Sequence, residues 1–397
     1  MATIGPASWD PVTLQSVFDA GADVFRLNYS HGEPEQKTEL YERIRSMETE
    51  TRKTCILADL PGPKLRLGEF SGVRLLNNGD NIRFLCGKKE HDGDELPVEY
   101  DGLSSELSPG DSVLIADGLI RLSVVKTGGE RGSFVDCLVE DGGPVTSRKG
   151  INLPGTTIDL PAIGEKDKLA LGHALKTGAD WIAVSYVRSA EDLRPAKDAV
   201  KAAGLHTPII AKIEHPAALK NLHSILDIAD AVMVARGDLG VEIPLERVPL
   251  AQQMIIDAGL MRGMVVIVAT QMLESMTLNP RPTRAEVSDV STAIRQGSTA
   301  VMLSGETASG NHPIAAVETM TRIATATEEG LDSSGGTPGV LSKFRSTRAV
   351  AHAGVELARA SGAKHIIVAT QHGNAPRLVT GYRPDVVVTA VTDRIRA

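Results

Sequence analysis

Aromatic side chains make up only 3% of the 397 residues, too few to build the stacking platforms on which single-stranded nucleic acids are held. Positive charge is also short: 42 Lys and Arg stand against 50 Asp and Glu, a formal net charge of −8. That balance argues against a nucleic acid or a membrane surface as the main partner, while leaving room for a local basic cleft that takes phosphates. Cysteine is scarce. Cys55, Cys86 and Cys137 are odd in number, lack CxxC spacing and lie in or beside apolar runs, so they read as reduced core thiols of a cytoplasmic protein. No apolar stretch approaches the ~20 residues that span a bilayer. The opening "MATIGPASWD" has no basic segment leading into an apolar one, as an export signal would.

What the chain has instead is alternation. Eight short apolar runs, "ATIGPAS", "DVFRLNYS", "CILADLPG", "WIAVSYV", "PIIAKIE", "AVMVARGD", "VVIVATQ" and "AVMLSGE", read as strands. Amphipathic segments such as "PVTLQSVFDAG", "EKDKLALGHALKTGA" and "AEDLRPAKDAVKAAG" separate them and read as helices, several ending in a glycine suited to a left-handed C-cap. Thr283 and Glu286 have capping-box spacing. Strand followed by helix, eight times over, predicts an α/β chain folded as a (β/α)8 TIM barrel, with its active site at the C-terminal ends of the strands. The period is broken once, between the third and fourth runs, where turn residues frame alternating runs of β type. The expected organisation is therefore a barrel over residues 1–64 and 156–330, an inserted β-barrel lid over 65–155, and, after the Gly/Ser-rich "EEGLDSSGGTPG", a partial α/β unit over 340–397.

Charge collects where the strands end. Lys212 and Glu214 close one apolar run, and alternation puts both on the same strand face; Arg236 and Asp238 follow the next run. A charged pair facing a core costs several kcal/mol unless it is compensated or used. Arg26, Asn28, Ser30, Asp59, Ser185, Arg188, Thr270, Gln271, Ser304 and Glu306 also lie at strand ends. Glu214 and Asp238 are hard oxygen donors suited to Mg²⁺ or Mn²⁺, and Lys212 and Arg26 bring positive charge to a phosphoryl group, whose transfer depends on positioning and charge neutralisation. Plainer readings stand beside these: a structural ion pair for Lys212 with Glu214, a helix cap for Asp238, a pair with Asp59 for Arg26. Arg188, Ser185 and Glu306 read as supporting residues and His31 as a turn residue. "KTGGERG" is a hairpin turn, because no helix follows it to make a phosphate loop.

Seven segments, "TIGPAS", "RLNYSHG", "AKIEHP", "VARGDLGVEIP", "ATQMLESM", "PTRAEVSDV" and "LSGETASG", resemble the signatures of the pyruvate kinase family, in that family's order and along nearly the whole chain. The resemblance implies phosphoryl transfer from phosphoenolpyruvate to ADP, giving pyruvate and ATP. By it, Arg26 grips the substrate phosphate and Lys212 stabilises the phosphoryl in flight. Glu214 and Asp238 hold Mg²⁺ or Mn²⁺, the amides around Gly237 and Asp238 take the substrate carboxylate together with Thr270, and Arg66 and Lys149 approach the nucleotide phosphates. It also implies a homotetramer for the full-length protein, and the chain reads as cut short at both ends, with an incomplete last domain.

One departure stands out. In "ADLPGPKLR" Leu60 and Pro61 replace the family's usual Thr-Lys pair and Lys64 replaces its Glu, which normally acts with a bound K⁺. Lys64 is therefore expected to serve as a built-in cation, with Asn28, Ser30, Asp59 and Leu60 as a vestigial ion site and no K⁺ requirement. Two other readings compete: a metal-dependent lyase acting on enolpyruvate or keto acids, and a truncated, non-catalytic relative.

Overall fold

The computed structural model describes residues 1–130, 132–156, 158–331 and 345–393. Its central sheet has eight parallel strands: β1 (Ala2–Ile4), β2 (Val24–Asn28), β3 (Cys55–Asp59), β4 (Trp181–Val184), β5 (Ile209–Ile213), β6 (Ala231–Ala235), β7 (Val265–Ala269) and β8 (Ala300–Met302). Each pairs with the next in chain order. A bridge between Ala2 and Leu303, with Thr3 N donating to Leu303 O at 3.0 Å, brings the last strand back to the first and makes a barrel. Every residue of β5 and β6 is buried. Strands covered on both faces are apolar along nearly their whole length for that reason, with Lys212 the exception in β5.

Alternation sorts each strand into two layers. Leu57, Ala183, Ile210, Met233, Ile267 and Met302 form a small apolar cluster that fills the barrel interior, while Ile56, Val184, Ala211, Val232 and Val268 join the larger core beneath the surrounding helices. Two residues beyond Leu57, Ala183 and Ile210, and thus on the same inward face, come Asp59, Ser185 and Lys212. The top layer of the barrel is polar where the layer below is apolar.

Between β3 and β4 lies a second sheet with its own core, built on Leu67, Phe84, Val113, Leu122, Val135 and Cys137. Its strands run in the order Leu65–Arg66, Gly150–Asn152, Ser112–Ile115, Ile120–Gly128, Phe134–Asp141, Asn81–Cys86, Leu96–Val98. A bridge from Leu67 to Val98 draws the two edges together. The three cysteines form no disulfide, and burial pushes the Cys137 thiol up to about 12. After the barrel come the helix Arg345–Ser361, the strand His365–Ala369, the helix Asn374–Thr380 and the strand Val387–Val391, the two strands pairing in parallel. Arg383 ties this unit to the barrel by donating to the carbonyls of Ile294 (3.2 Å) and Ser298 (3.0 Å). Most of the Gly/Ser-rich segment expected as a linker lies outside the described residues. Among the described residues no helix is long and apolar enough to cross a membrane.

Local signals are realised with one exception. Thr283 and Glu286 form the reciprocal capping box, and Gly178, at φ 86°, caps the helix Glu165–Thr177. The segment "AEDLRPAKDAVKAAG" is not one helix. A 3₁₀ turn, Ala190–Leu193, precedes an α-helix, Arg194–Ala202, and the joint falls at Pro195, which has no N–H to carry the ladder across it.

Candidate active site

The polar layer at the top of the barrel is one connected network. Arg26 donates from Nε to Asp59 Oδ2 at 2.7 Å and from a terminal nitrogen to Thr3 Oγ1 at 3.1 Å. Lys212 Nζ donates to Ser185 Oγ at 2.7 Å and stands 3.2 Å from Asp59 Oδ1 and 2.9 Å from Glu214 Oε1. Those two carboxylate oxygens meet the ammonium at ion-pair distance, and among the described residues neither has a hydrogen-bond partner. Lys212, Asp59 and Glu214 are all buried. Burial alone lowers the ammonium's pKa, yet Asp59 and Glu214 outweigh it, and the net shift is upward. Burial raises the Asp59 carboxyl, but Lys212 and Arg26 together bring it below its ordinary value. Glu214 goes the other way: burial and the neighbouring Asp238 raise it against the pull of Lys212, which is shared with Asp59.

Asp238 completes the group from the helix Arg236–Glu242, directly after β6. Its Oδ1 accepts from the Tyr186 hydroxyl at 3.2 Å and lies 3.6 Å from Lys64 Nζ. Three cations, Arg26, Lys212 and Lys64, thus face three carboxylates, Asp59, Glu214 and Asp238. A hard divalent ion fits this donor set: Glu214 Oε1 is a buried oxygen with no hydrogen bond, and Glu214 and Asp238 raise each other's energy when both are charged. Among the described residues no cluster of three or more His, Cys, Asp or Glu side chains is gathered for a metal. Two carboxylates suit an ion that keeps several positions for water and substrate, as Mg²⁺ does.

Arg236 and Asp238 part company, contrary to their adjacent placement in the sequence. The Arg236 guanidinium pairs with Asp289 at 2.7 Å and donates to Thr270 O at 2.8 Å. It braces a turn in which Thr270 and Gln271 have φ of 72° and 53°, a left-handed backbone that non-glycine residues adopt only when held. Thr270 Oγ1 in turn accepts from Gly237 N at 2.6 Å. Gly237 and Thr270 are therefore brought together, with that amide already engaged by the hydroxyl.

Other sequence-derived candidates are distributed around this centre. Asn28 Oδ1 is turned back onto Ser30 N at 3.0 Å, and Leu60 O accepts from Ser185 Oγ at 2.8 Å. Arg66 donates to Arg148 O at 3.1 Å. Lys149 has an exposed side chain on the lid, and its carbonyl accepts from Leu67 N at 2.9 Å. Burial first, then the charges of Arg66, Lys37, Arg26 and Lys64, lower the pKa of His31, so this residue lies amid four cations. Arg188 donates to the carbonyls of Ile158 and Leu160, fastening the chain as it returns from the lid. Glu306 is fully buried and accepts from Leu273 N and Ser304 N. Sequence reading missed Tyr186, which touches both acidic residues, and Lys37, whose ammonium donates to His31 O at 2.8 Å and is lowered to about 8 by burial and Arg26. A lysine amid "EPEQKTEL" carries no signal that it is buried; Tyr186 ends an apolar run and reads as core.

Comparisons with known proteins agree with this geometry. Residues 1–317 match the family model described as pyruvate kinase, barrel domain, and residues 348–397 match pyruvate kinase, alpha/beta domain. A pyruvate kinase of Mycobacterium tuberculosis is 43% identical over 95% of this chain and 79% of its own length. One from Geobacillus stearothermophilus is 40% identical over 99% of this chain and 68% of its own. A solved pyruvate kinase structure from Cryptosporidium parvum superposes with a TM-score of 0.90 at 35% identity, covering 99% of this chain and 82% of that one. With its barrel, its polar layer and both family models matched in order, the chain belongs to the pyruvate kinase family.

Proposed function

We propose that this protein transfers the phosphoryl group of phosphoenolpyruvate to ADP, giving pyruvate and ATP. The observation that carries the reading is the buried Lys212 ammonium, held between Asp59 and Glu214 with Arg26 beside them. A cation kept charged in a dry site and backed by fixed partners stabilises charge that develops on a phosphoryl in flight without reorganising at that moment. Arg26 presents the remainder of its guanidinium to the substrate phosphate, and Gly237, Asp238 and Thr270 form the carboxylate end. Glu214 and Asp238 hold Mg²⁺ or Mn²⁺, which when bound supplies positive charge to the transferring group. The six charged side chains sum to zero without it, so the ion gives the site the net positive charge that an anionic phosphate ester needs.

Arg66 and Lys149, near the two ends of the lid, serve the nucleotide phosphates, and closure of the lid excludes water. Lys64 replaces K⁺: Asn28 Oδ1 and Leu60 O, oxygens of the vestigial ion site, are already engaged, and a fixed ammonium lies in the mouth. The lid comprises residues 65–155, the barrel 1–64 and 156–330, and the terminal unit 340–397. A cytoplasmic homotetramer belongs to the same proposal; exposed Leu250 and Met254, one turn apart on the helix Val248–Leu260, are suited to an interface between copies. The family match leaves the lyase and the non-catalytic readings without support. A coupled assay for pyruvate formation tests the proposal, with Lys212→Met as control. Turnover is expected from the wild type and loss of it in the variant; equal pyruvate formation by both overturns the assignment.

A further inference from the structure

The backbone turns sharply after β4. Tyr186 has φ of 52°, a left-handed conformation costing about 1–2 kcal/mol for a residue with a Cβ. That strain has a visible result: it lets one residue reach two carboxylates from its opposite ends. Tyr186 N donates to Glu214 Oε2 at 2.7 Å, and the phenol at the far end of the same side chain donates to Asp238 Oδ1 at 3.2 Å. The two acceptors follow different strands, Glu214 directly after β5 and Asp238 in the helix after β6, and among the described residues no other group donates a hydrogen bond to both. The ring is located by its neighbours as well. Gly62, at φ 71°, comes so close that a Cβ there would lie 2.7 Å from Ser185 Cβ and 3.2 Å from the Tyr186 ring.

We propose that Tyr186 is a positioning residue for the divalent-ion site, fixing the orientation of Glu214 and Asp238 relative to each other. Its N–H occupies Oε2 of Glu214 and leaves Oε1 without a hydrogen bond, facing only the Lys212 ammonium at 2.9 Å; its hydroxyl occupies Oδ1 of Asp238 and leaves the other oxygen. These two oxygens are thereby oriented before an ion arrives, so that binding need not order them. This rests on the metal reading above. Outer-shell hydrogen bonds of this kind contribute about 10–100-fold in metal affinity.

The test is direct Mn²⁺ binding to the nucleotide-free protein, followed by electron paramagnetic resonance, in wild type, Tyr186→Phe and Asp238→Asn. Phe keeps the ring and the strained backbone and removes only the hydroxyl. The dissociation constant is expected to rise about tenfold in Tyr186→Phe, with the Mg²⁺ activation constant rising in parallel. The Mg²⁺ activation constant should change more than turnover at saturating Mg²⁺, since the hydroxyl touches the ligands and no reacting atom. The melting temperature in EDTA should match the wild type. Unchanged Mn²⁺ affinity in Tyr186→Phe, with Asp238→Asn impaired, overturns the role of Tyr186 alone; unchanged affinity in Asp238→Asn overturns the metal site beneath it. A weaker affinity accompanied by an equal loss of metal-free stability assigns the hydroxyl to folding and also overturns the proposal.

Discussion

Lys64 Nζ stands 3.6 Å from Asp238 Oδ1 and 3.2 Å from Asp117 Oδ1, so one ammonium joins the barrel's acidic residue to a loop of the lid. That loop is strained: Ala116 and Asp117 have φ of 55° and 57°, and a Cβ added at Gly118 would lie 3.7 Å from Val241 of the helix that carries Asp238. A fixed cation in this position adds to the charge that Arg26 and Lys212 supply. We therefore expect full activity in tetramethylammonium buffers without K⁺, and a K⁺ requirement in Lys64→Glu. Activation of the wild type by KCl of about tenfold or more, some 1.4 kcal/mol of barrier, would sink the idea.

Removing one hard oxygen ligand while retaining shape should disable the site. Asp238→Asn keeps an acceptor for Tyr186 but leaves Lys64 without its barrel-side charge partner and weakens the ion. Turnover is expected to fall by at least about 10²-fold, a loss of ~2.7 kcal/mol of transition-state stabilisation. EDTA-treated wild type should be inactive and recover with Mg²⁺ or Mn²⁺. Normal turnover in EDTA would contradict the assignment.

The barrel and its polar layer were legible in the sequence because both follow from alternation. Ile210 with Lys212 and Leu57 with Asp59 are two-residue steps on one face, so a buried apolar residue predicts where its charged successor points. What was not legible depends on long-range choices. Arg236 takes Asp289, 53 residues away, over Asp238 two residues on, and donates from its other nitrogen to the Thr270 carbonyl. Lys64 and Asp117 likewise meet across 53 residues, and only the fold of the lid brings them together. Tyr186 was hidden for another reason: a left-handed backbone at an aromatic residue has no sequence signature, so its reach to both carboxylates appears only in three dimensions.

Close packing between helix and strand gives a stability prediction remote from the chemistry. Gly259, in the helix Val248–Leu260, lies so near β6 and β7 that a Cβ would sit 2.6 Å from Val266 Cγ2 and 3.2 Å from Val232 Cγ1. Overpacking of this kind costs about 1–3 kcal/mol, against a gain of roughly 1 kcal/mol in helix propensity. Gly259→Ala should lower the melting temperature with little effect on the substrate constants. A rise in melting temperature would mean that the helix can move away freely.

Glu242 contributes a pH dependence that a single substitution can isolate. It ends the helix Arg236–Glu242, is buried, and accepts from Asn152 Nδ2 of the returning lid strand at 3.2 Å; its other oxygen has no hydrogen bond. His215 Nε2 is 3.9 Å from that oxygen but is itself lowered by burial and by Arg188, so it offers little positive charge near neutrality. Tyr186, Arg188 and Lys64 line the same small cavity. Burial, partly offset by Asn152 and reinforced by Asp238, pushes the Glu242 carboxyl from 4.5 up to about 7. The folded chain therefore holds this proton more tightly than the unfolded chain. The stabilisation is complete below about pH 4.5, declines as pH rises through about 7, and is absent above it. Allowing for partial exposure, the loss is on the order of 2 kcal/mol. Glu242→Gln keeps the acceptor for Asn152 and cannot ionise. In EDTA, the variant should match the wild type near pH 5 and exceed it at pH 8, so that the difference between their melting curves widens with pH. Other buried carboxylates titrate equally in both proteins and cancel in that difference. Parallel curves across the range would show that Glu242 is ionised in the folded state at an ordinary pH and that the lid hinge does not sense it.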